Sequence, residues 1–407
     1  MHPWESGHWL PGVLSETQIR RLWSDGYLDG IADFKNAADY SSIDLTLSNE
    51  GYKMKAGSIK PCGQPDQPYK KFLGNSDLAE RLPENEDNIF VLKANECYVF
   101  KLKETLAAGK LAGSNIFGMA TAKSSIGRVD VIARLIIDGM YQYEVLDPES
   151  LQNSTGDMFL EIIPISFDVC VKPGISLSQL RLFYGDPAES EIRNQDFIKG
   201  ILLDSKDGDG YLSVDLRNTK IGGLNVTAFR ACVPDKGDQK PLKLWKRTNK
   251  SDKPDPCRYW RLDQANEENR FLLKSNAFYL LRSKERLALP SRVAVYARPM
   301  DETLGEMRIH YAGFAHPYFG SEREDRAGTP LIFEVRAHNV SVNLDHNERL
   351  AKLIFYRMSE EPKKKEKEEG EERSYDDQEL ELSKYFGAWP PKLEYKDEET
   401  GVVVAIS

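Results

Sequence analysis

The sequence predicts a mainly β protein made of two tandem copies of one antiparallel barrel or jelly-roll-like domain, with few short helices. Three observations carry this. Segments recur in the same order, with partners roughly 170–180 residues apart: Ser42-Ile43-Asp44-Leu45 resembles Ser213-Val214-Asp215-Leu216, Phe90-Val91-Leu92-Lys93 resembles Phe271-Leu272-Leu273-Lys274, Phe159-Leu160-Glu161-Ile162 resembles Ile332-Phe333-Glu334-Val335, and Leu182-Phe183-Tyr184 resembles Ile354-Phe355-Tyr356. That period is far too long for a solenoid and indicates a duplicated domain. Within each copy the segments are short, β-branched and aromatic, and turn signals such as Lys172-Pro173-Gly174 and Asp207-Gly208-Asp209-Gly210 separate them. Helix signals are sparse; one helix is expected from Ser15, where Ser15-x-x-Gln18 forms a capping box ahead of Ile19 and Leu22.

The domain organisation follows from the repeat. Residues 1–195 form the first copy and 196–358 the second, which is degenerate. Residues 359–374 are almost all charged and read as a solvated, flexible linker. Order resumes in a tail, 375–407, whose Leu380, Leu382, Tyr385, Phe386 and Trp389 are available to dock on a core or a ligand.

The chain has 407 residues and a formal net charge of −9, which argues against a broad basic surface for nucleic acid. A local cation cluster can still hold an anionic small molecule. The five cysteines are scattered without metal or redox spacing, and read as reduced thiols of a cytoplasmic protein. No stretch approaches the ~18 apolar residues that a membrane helix needs, and no signal-peptide pattern opens the sequence.

Two features point to chemistry. Lys123-Ser124-Ser125-Ile126-Gly127-Arg128 offers two cations and two hydroxyls on a short turn, which suits phosphate oxygens. Taken alone it also fits a plain Ser-rich turn with surface charges. Glu161 lies in an apolar run that alternation cannot make polar on either face, so burial would raise its pKa toward the range useful for proton transfer. A carboxylate paired with a buried Arg explains it equally well. Glu334 repeats the anomaly in the second copy, whereas the Lys123–Arg128 turn has no second-copy counterpart; Arg298-Pro299-Met300-Asp301 stands there. The histidines lack metal spacing, and the zinc nucleoside-deaminase, Walker, Rossmann and Gly-x-Ser-x-Gly patterns are missing.

These motifs, together with Lys172-Pro173-Gly174-x4-Gln179-Leu180, Gly305-Glu306-Met307-Arg308-Ile309-His310, Glu334-Val335-Arg336-Ala337-His338 and Tyr375-x-x-Gln378-x3-Leu382-Ser383-Lys384, resemble the deoxycytidine triphosphate deaminase branch of the trimeric dUTPase-like superfamily. More closely, the chain looks like the long, duplicated form of that enzyme found in some bacteria. The resemblance implies two dUTPase-like distorted jelly-roll barrels. It implies hydrolytic deamination of dCTP to dUTP and ammonia, that is, hydrolysis of a cyclic amidine C–N bond, without catalytic zinc or any other catalytic metal. Glu161 matches the family's general base and acid, with Glu334 as a second candidate. Ser124, Ser125 and Arg128 match its phosphate-binding residues and Lys123 the basic residue before them. Tyr375, Gln378 and Lys384 match a C-terminal lid. Mg²⁺ would accompany the triphosphate, dUTP and dTTP are further candidate ligands, and a trimer-based homo-oligomer is implied.

The resemblance breaks at the family's Asp-Pro-Gly segment before the catalytic strand: Asn153-Ser154-Thr155-Gly156 stands in the first copy and His316-Pro317-Tyr318 in the second. Three other readings therefore stand beside a dCTP deaminase: a dUTPase or bifunctional enzyme releasing dUMP and diphosphate, a non-catalytic nucleotide-binding regulator, and a dCTP-depleting anti-phage enzyme.

Overall fold

A computed structural model describes residues 2–62, 67–83, 86–232, 240–245, 252–300, 307–310, 313–321, 327–365, 378–397 and 402–405. The duplication seen in the sequence is a duplication of topology. In the first copy the strands lie side by side in the order Val131–Ile137, Asp157–Pro164, Tyr98–Leu106, Ile43–Met54, Ser176–Tyr184, Ile116–Ala122, Val145–Leu146. In the second the order is Met307–His310, Thr329–Ala337, Phe278–Leu287, Tyr211–Asp215, Arg349–Arg357, Val293–Pro299, Phe314–Ala315, and the neighbours in both series are antiparallel. The strands form because β-branched and aromatic side chains fill a pleated, half-buried surface well.

Polar details repeat as well. Glu104 accepts from the backbone N–H of Thr46 at 2.7 Å, and Glu285 from that of Ser213 at 2.6 Å. The hydroxyl of Tyr98 accepts from the Lys93 N–H and that of Tyr279 from the Lys274 N–H, each at 3.0 Å. Buried acceptors of this kind fix strand register, because leaving one unpaired costs about 1–3 kcal/mol.

The helix expected after Ser15 spans Glu16–Ser24, and its capping box forms: Gln18 N–H donates to Ser15 Oγ at 3.3 Å and Ser15 N–H to Gln18 Oε1 at 2.9 Å. Two expectations shift at the borders. Strand Glu191–Ile192 already pairs with Arg349–Arg357, so the second sheet begins before residue 196. Residues 359–365 are not a solvated linker. Ser359 is buried and its N–H donates to Val13 O at 2.7 Å, Glu361 pairs with Arg292 at 2.9 Å, and Lys365 lies 3.5 Å from Glu16 and 3.6 Å from Asp39. Glu361 and Lys365 thus pair with the second and the first copy respectively; residues 366–374 lie outside the described residues.

The register also relocates the Asp-Pro-Gly segment. Met119 faces Val145 and Gly118 faces Leu146, as Tyr296 faces Phe314 and Val295 faces Ala315. Asp147-Pro148-Glu149 thus follows directly on the paired strand in the first copy, as His316-Pro317-Tyr318 does in the second, and Asn153–Gly156 belongs to the rest of the connection before the Glu161 strand.

The copies pack on each other along two seams. Val13 and Phe183 meet Ala294, Tyr356 and Met358. A larger core joins Ile126, Val129 and Phe167 to Phe229, Trp260, Phe278 and Leu280. The tail closes this second seam: Phe386 packs edge-on against Phe167, Tyr259 and Trp260, and Trp389 tilts against Phe229. Among the described residues no helix is long and apolar enough to cross a membrane.

Candidate active site between the two copies

The Lys123–Arg128 turn follows strand Ile116–Ala122 and winds into one short helical turn, Ser124–Gly127. It faces the second copy across the seam. Gly127 is the contact point: a Cβ placed there would lie 2.0 Å from Glu334 Oε2 and 2.5 Å from its Cδ. The carboxyl group of the second copy therefore rests directly on the backbone of the first copy's phosphate-type turn, and only glycine permits the approach.

A cavity opens there between the two copies. Lys123, Ser124, Arg128, Arg298, Phe314, Phe319, Glu334 and Gln378 line it together with apolar side chains of the second copy. Glu334 is 7% exposed and, among the described residues, accepts no hydrogen bond and joins no ion pair. Burial pushes its pKa well above the ordinary glutamate range; Arg128 pulls it down and Asp130 pushes it further up. Burial without a committed partner is the state expected of a group that takes up and returns protons.

Glu161, at the equivalent position of the first copy, is held quite differently. Its side chain is wholly buried and accepts from Arg134 Nε at 2.9 Å, from Arg134 Nη2, from Ser58 Oγ, and from the Tyr143 hydroxyl at 3.1 Å. The Arg134 guanidinium in turn lies 4.1 Å from the Tyr143 ring centroid. Glu161 is not among the residues lining the cavity between the copies.

The other expected residues separate in the same way. Lys123 lines the cavity and pairs with Asp44. Ser124 lines it; Ser125 is buried behind, its carbonyl accepting from Ser383 Oγ at 2.7 Å. Arg128 donates to Gln378 Oε1 and, at 3.4 Å, to Glu381 O. Gln378 passes the contact on by donating to Pro330 O at 2.8 Å, so the tail clasps the turn from one side and the Glu334 strand from the other. Glu379 fastens the tail outside the cavity, bonding Arg286 Nη2 at 2.5 Å. Lys384 lies near the Tyr385 ring, 6.0 Å from its centroid, and away from the cavity lining. Tyr375 lies outside the described residues. No three His, Cys, Asp or Glu side chains gather into a metal cluster among the described residues.

Two arginines, Arg181 buried and Arg336 partly so, hold the copies in register around the site. Arg336, two residues beyond Glu334 on the same face, donates to Asp130 and, at 2.9 Å, to Ser166 Oγ; burial pushes Asp130 up to about 6 against the pull of Arg336. Arg181 of the first copy donates at 2.8 Å to Val295 O and at 3.2 Å to Ala315 O, and its guanidinium lies 4.0 Å from the Phe314 ring centroid. Val295 and Ala315 are cross-strand partners that both line the cavity, so Arg181 fixes that wall. Burial pushes its pKa down to about 9. Neither arginine was legible as a site residue, because each occupies an unremarkable strand position.

Comparison with known proteins agrees with the duplication. The model of the 2'-deoxycytidine 5'-triphosphate deaminase N-terminal domain matches residues 10–186, and that of the C-terminal domain matches residues 191–386. The chain belongs to the dCTP deaminase family. Among solved structures, the 2'-deoxycytidine 5'-triphosphate deaminase of Agrobacterium tumefaciens superposes with a TM-score of 0.73 at 25% identity, covering 86% of this chain and 97% of the other. No curated relative matches. The family's two domains meet here so that one chain supplies both the Ser124–Arg128 turn and the buried carboxyl of Glu334 to a single cavity.

Proposed function

We propose that the chain deaminates dCTP to dUTP and ammonia in this cavity, with Glu334 as general base and acid and with Lys123, Ser124 and Arg128 on the phosphates. The observation that carries this is the contact of the Glu334 carboxyl with Gly127. It sets an uncommitted, buried carboxyl one residue from the phosphate-binding arginine. In the reaction Glu334 takes a proton from water and the resulting hydroxide attacks C4 of the cytosine. Glu334 returns that proton to N3, then takes the proton of the new C4 hydroxyl and passes it to the amino group, which departs as ammonia while C4 becomes the carbonyl of dUTP. Gln378 and the tail residues behind it keep bulk water from the intermediate. Mg²⁺ accompanying the triphosphate would be held by phosphate oxygens and water, since Glu334 is the single carboxylate among the described residues that line the cavity.

This reading gives Glu161 a structural role, because a carboxylate bonded to Arg134, Ser58 and Tyr143 has little freedom to shuttle protons. It also lets a monomer build a complete site, whatever higher assembly forms, and it fits a cytoplasmic enzyme of nucleotide metabolism. Purified protein incubated with dCTP should release ammonia and dUTP, and Glu334→Gln should lower turnover by about 10²–10⁴-fold, the usual range for a general base. Chromatography showing dUMP as the first product would redirect the assignment to a bifunctional enzyme. Nucleotide binding without any product would favour a regulator.

A further inference from the structure

The cations of the cavity are unevenly committed. Lys123 is neutralised by Asp44, and Arg128 is engaged by Gln378 and sits beside Glu334. Counting those four charges, the wall contributed by the turn is close to neutral once Glu334 ionises. A triphosphate carrying several negative charges would meet little net attraction from it.

Arg298 differs. It lies on strand Val293–Pro299 of the second copy, lines the same cavity and is exposed; among the described residues its guanidinium has no hydrogen bond and no ion pair. A second observation is independent of the cavity. Arg298 stands directly opposite Lys352 on the antiparallel neighbour, and opposed like charges destabilise a sheet. Among the described residues no acid pairs with either cation, so the position suits an anion arriving from outside.

We infer that Arg298 is a phosphate-binding residue of this site, supplied by the copy that lacks Ser-Ser-x-x-Arg, and that it grips the triphosphate from the side opposite Lys123, Ser124 and Arg128. The guanidinium fork suits two phosphate oxygens at once. Rotation of an exposed side chain onto the ligand requires no backbone movement. The inference rests on the dCTP reading for the identity of the nucleotide, but the polyphosphate contact is testable without it.

Inorganic tripolyphosphate, followed by calorimetry, separates the two. It should bind the wild-type protein, and Arg298→Ala should weaken it about 10- to 100-fold, the loss expected for charge-assisted bonds. Arg298→Lys should recover part of that, and the unfolding temperature should stay unchanged because the side chain is exposed. With dCTP as substrate, KM should rise by a similar factor while kcat changes less than about threefold. Deoxycytidine, which has no phosphate, should bind both proteins alike. Equal tripolyphosphate affinity in wild type and Arg298→Ala, or an equal loss for deoxycytidine, overturns the inference. Failure of the wild-type protein to deaminate dCTP would overturn the proposed function while leaving the tripolyphosphate result to decide Arg298.

Discussion

Glu161 and Glu334 occupy the same place in two copies of one sheet, yet one is locked and the other is open. On the neighbouring strand Arg134 faces Glu161 in register and bonds it, and the pair is closed off by Ser58 and Tyr143. Glu334 faces His310 in register, but its carboxyl leans out of its own sheet onto Gly127 of the other copy. The duplicated architecture keeps a glutamate in both strands; what differs is which surface each meets. On the proposed reading, a buried carboxylate becomes structural when its own copy satisfies it, and reactive when it is delivered to the partner surface that carries Lys123, Ser124 and Arg128.

The sharpest way to break this comparison is to remove each carboxylate in turn. Glu334→Gln should abolish nearly all dCTP turnover, by about 10²–10⁴-fold, whereas Glu161→Gln should keep it within about tenfold in the fraction that folds. Reversal of that order in ammonia-release assays would return the catalytic role to Glu161. Gly127→Ala should come next, with a loss of about 10²-fold, because a misplacement near 1 Å is enough for that. The added methyl meets the flexible end of Glu334, so the fold should persist and circular dichroism should be unchanged. A fully active Gly127→Ala enzyme would show that the Gly127–Glu334 contact is not part of the mechanism.

The pH profile sharpens the same contrast. Glu334 acts as a base only when ionised and burial raises its pKa, so kcat/KM should fall with acidification at a pH above the ordinary glutamate value of about 4.3. A profile flat down to pH 5 would contradict an open, buried Glu334.

Much of the fold was legible and about half of the site. The repeated segments around Ser42, Phe90, Phe159 and Leu182 fall on equivalent strands of the two copies, since a strand's apolar pattern survives duplication even when its polar residues drift. The capping box at Ser15 is purely local and was readable for that reason. The two glutamates stood out as carboxylates in apolar runs, but nothing local distinguishes them: Arg134 and His310 are decided by strand register, and Gly127 reaches Glu334 only once the copies dock. Asp147-Pro148 was missed because Asn153–Gly156 lies nearer the Glu161 strand along the chain; strand pairing, not distance along the chain, puts Asp147-Pro148 directly after Val145–Leu146. Arg181, Arg298 and Arg336 look like ordinary alternating strand positions until their long-range partners, or the lack of one, are seen.

The smallest expected effect is thermodynamic, and its sign separates the copies. Removing one partner from the Glu161 network leaves Arg134 without its counter-ion; because the Arg134 side chain is 32% exposed, water recovers part of the loss. Glu161→Gln should therefore destabilise by about 1–3 kcal/mol. Glu334 works the other way. Its folded-state pKa is raised, so its contribution to stability is fully present below about pH 4.3 and is lost as pH rises through the raised value. As pH rises toward that value the wild-type carboxyl becomes costly to keep buried, whereas the Glu334→Gln side chain cannot ionise. The stability difference between variant and wild type should therefore shift in the variant's favour from pH 5 to pH 8. Thermal unfolding of both variants at the two pH values measures this directly. A difference that does not change with pH would mean that the carboxylate is already satisfied in the free protein, and the distinction between a locked and an open glutamate would fall.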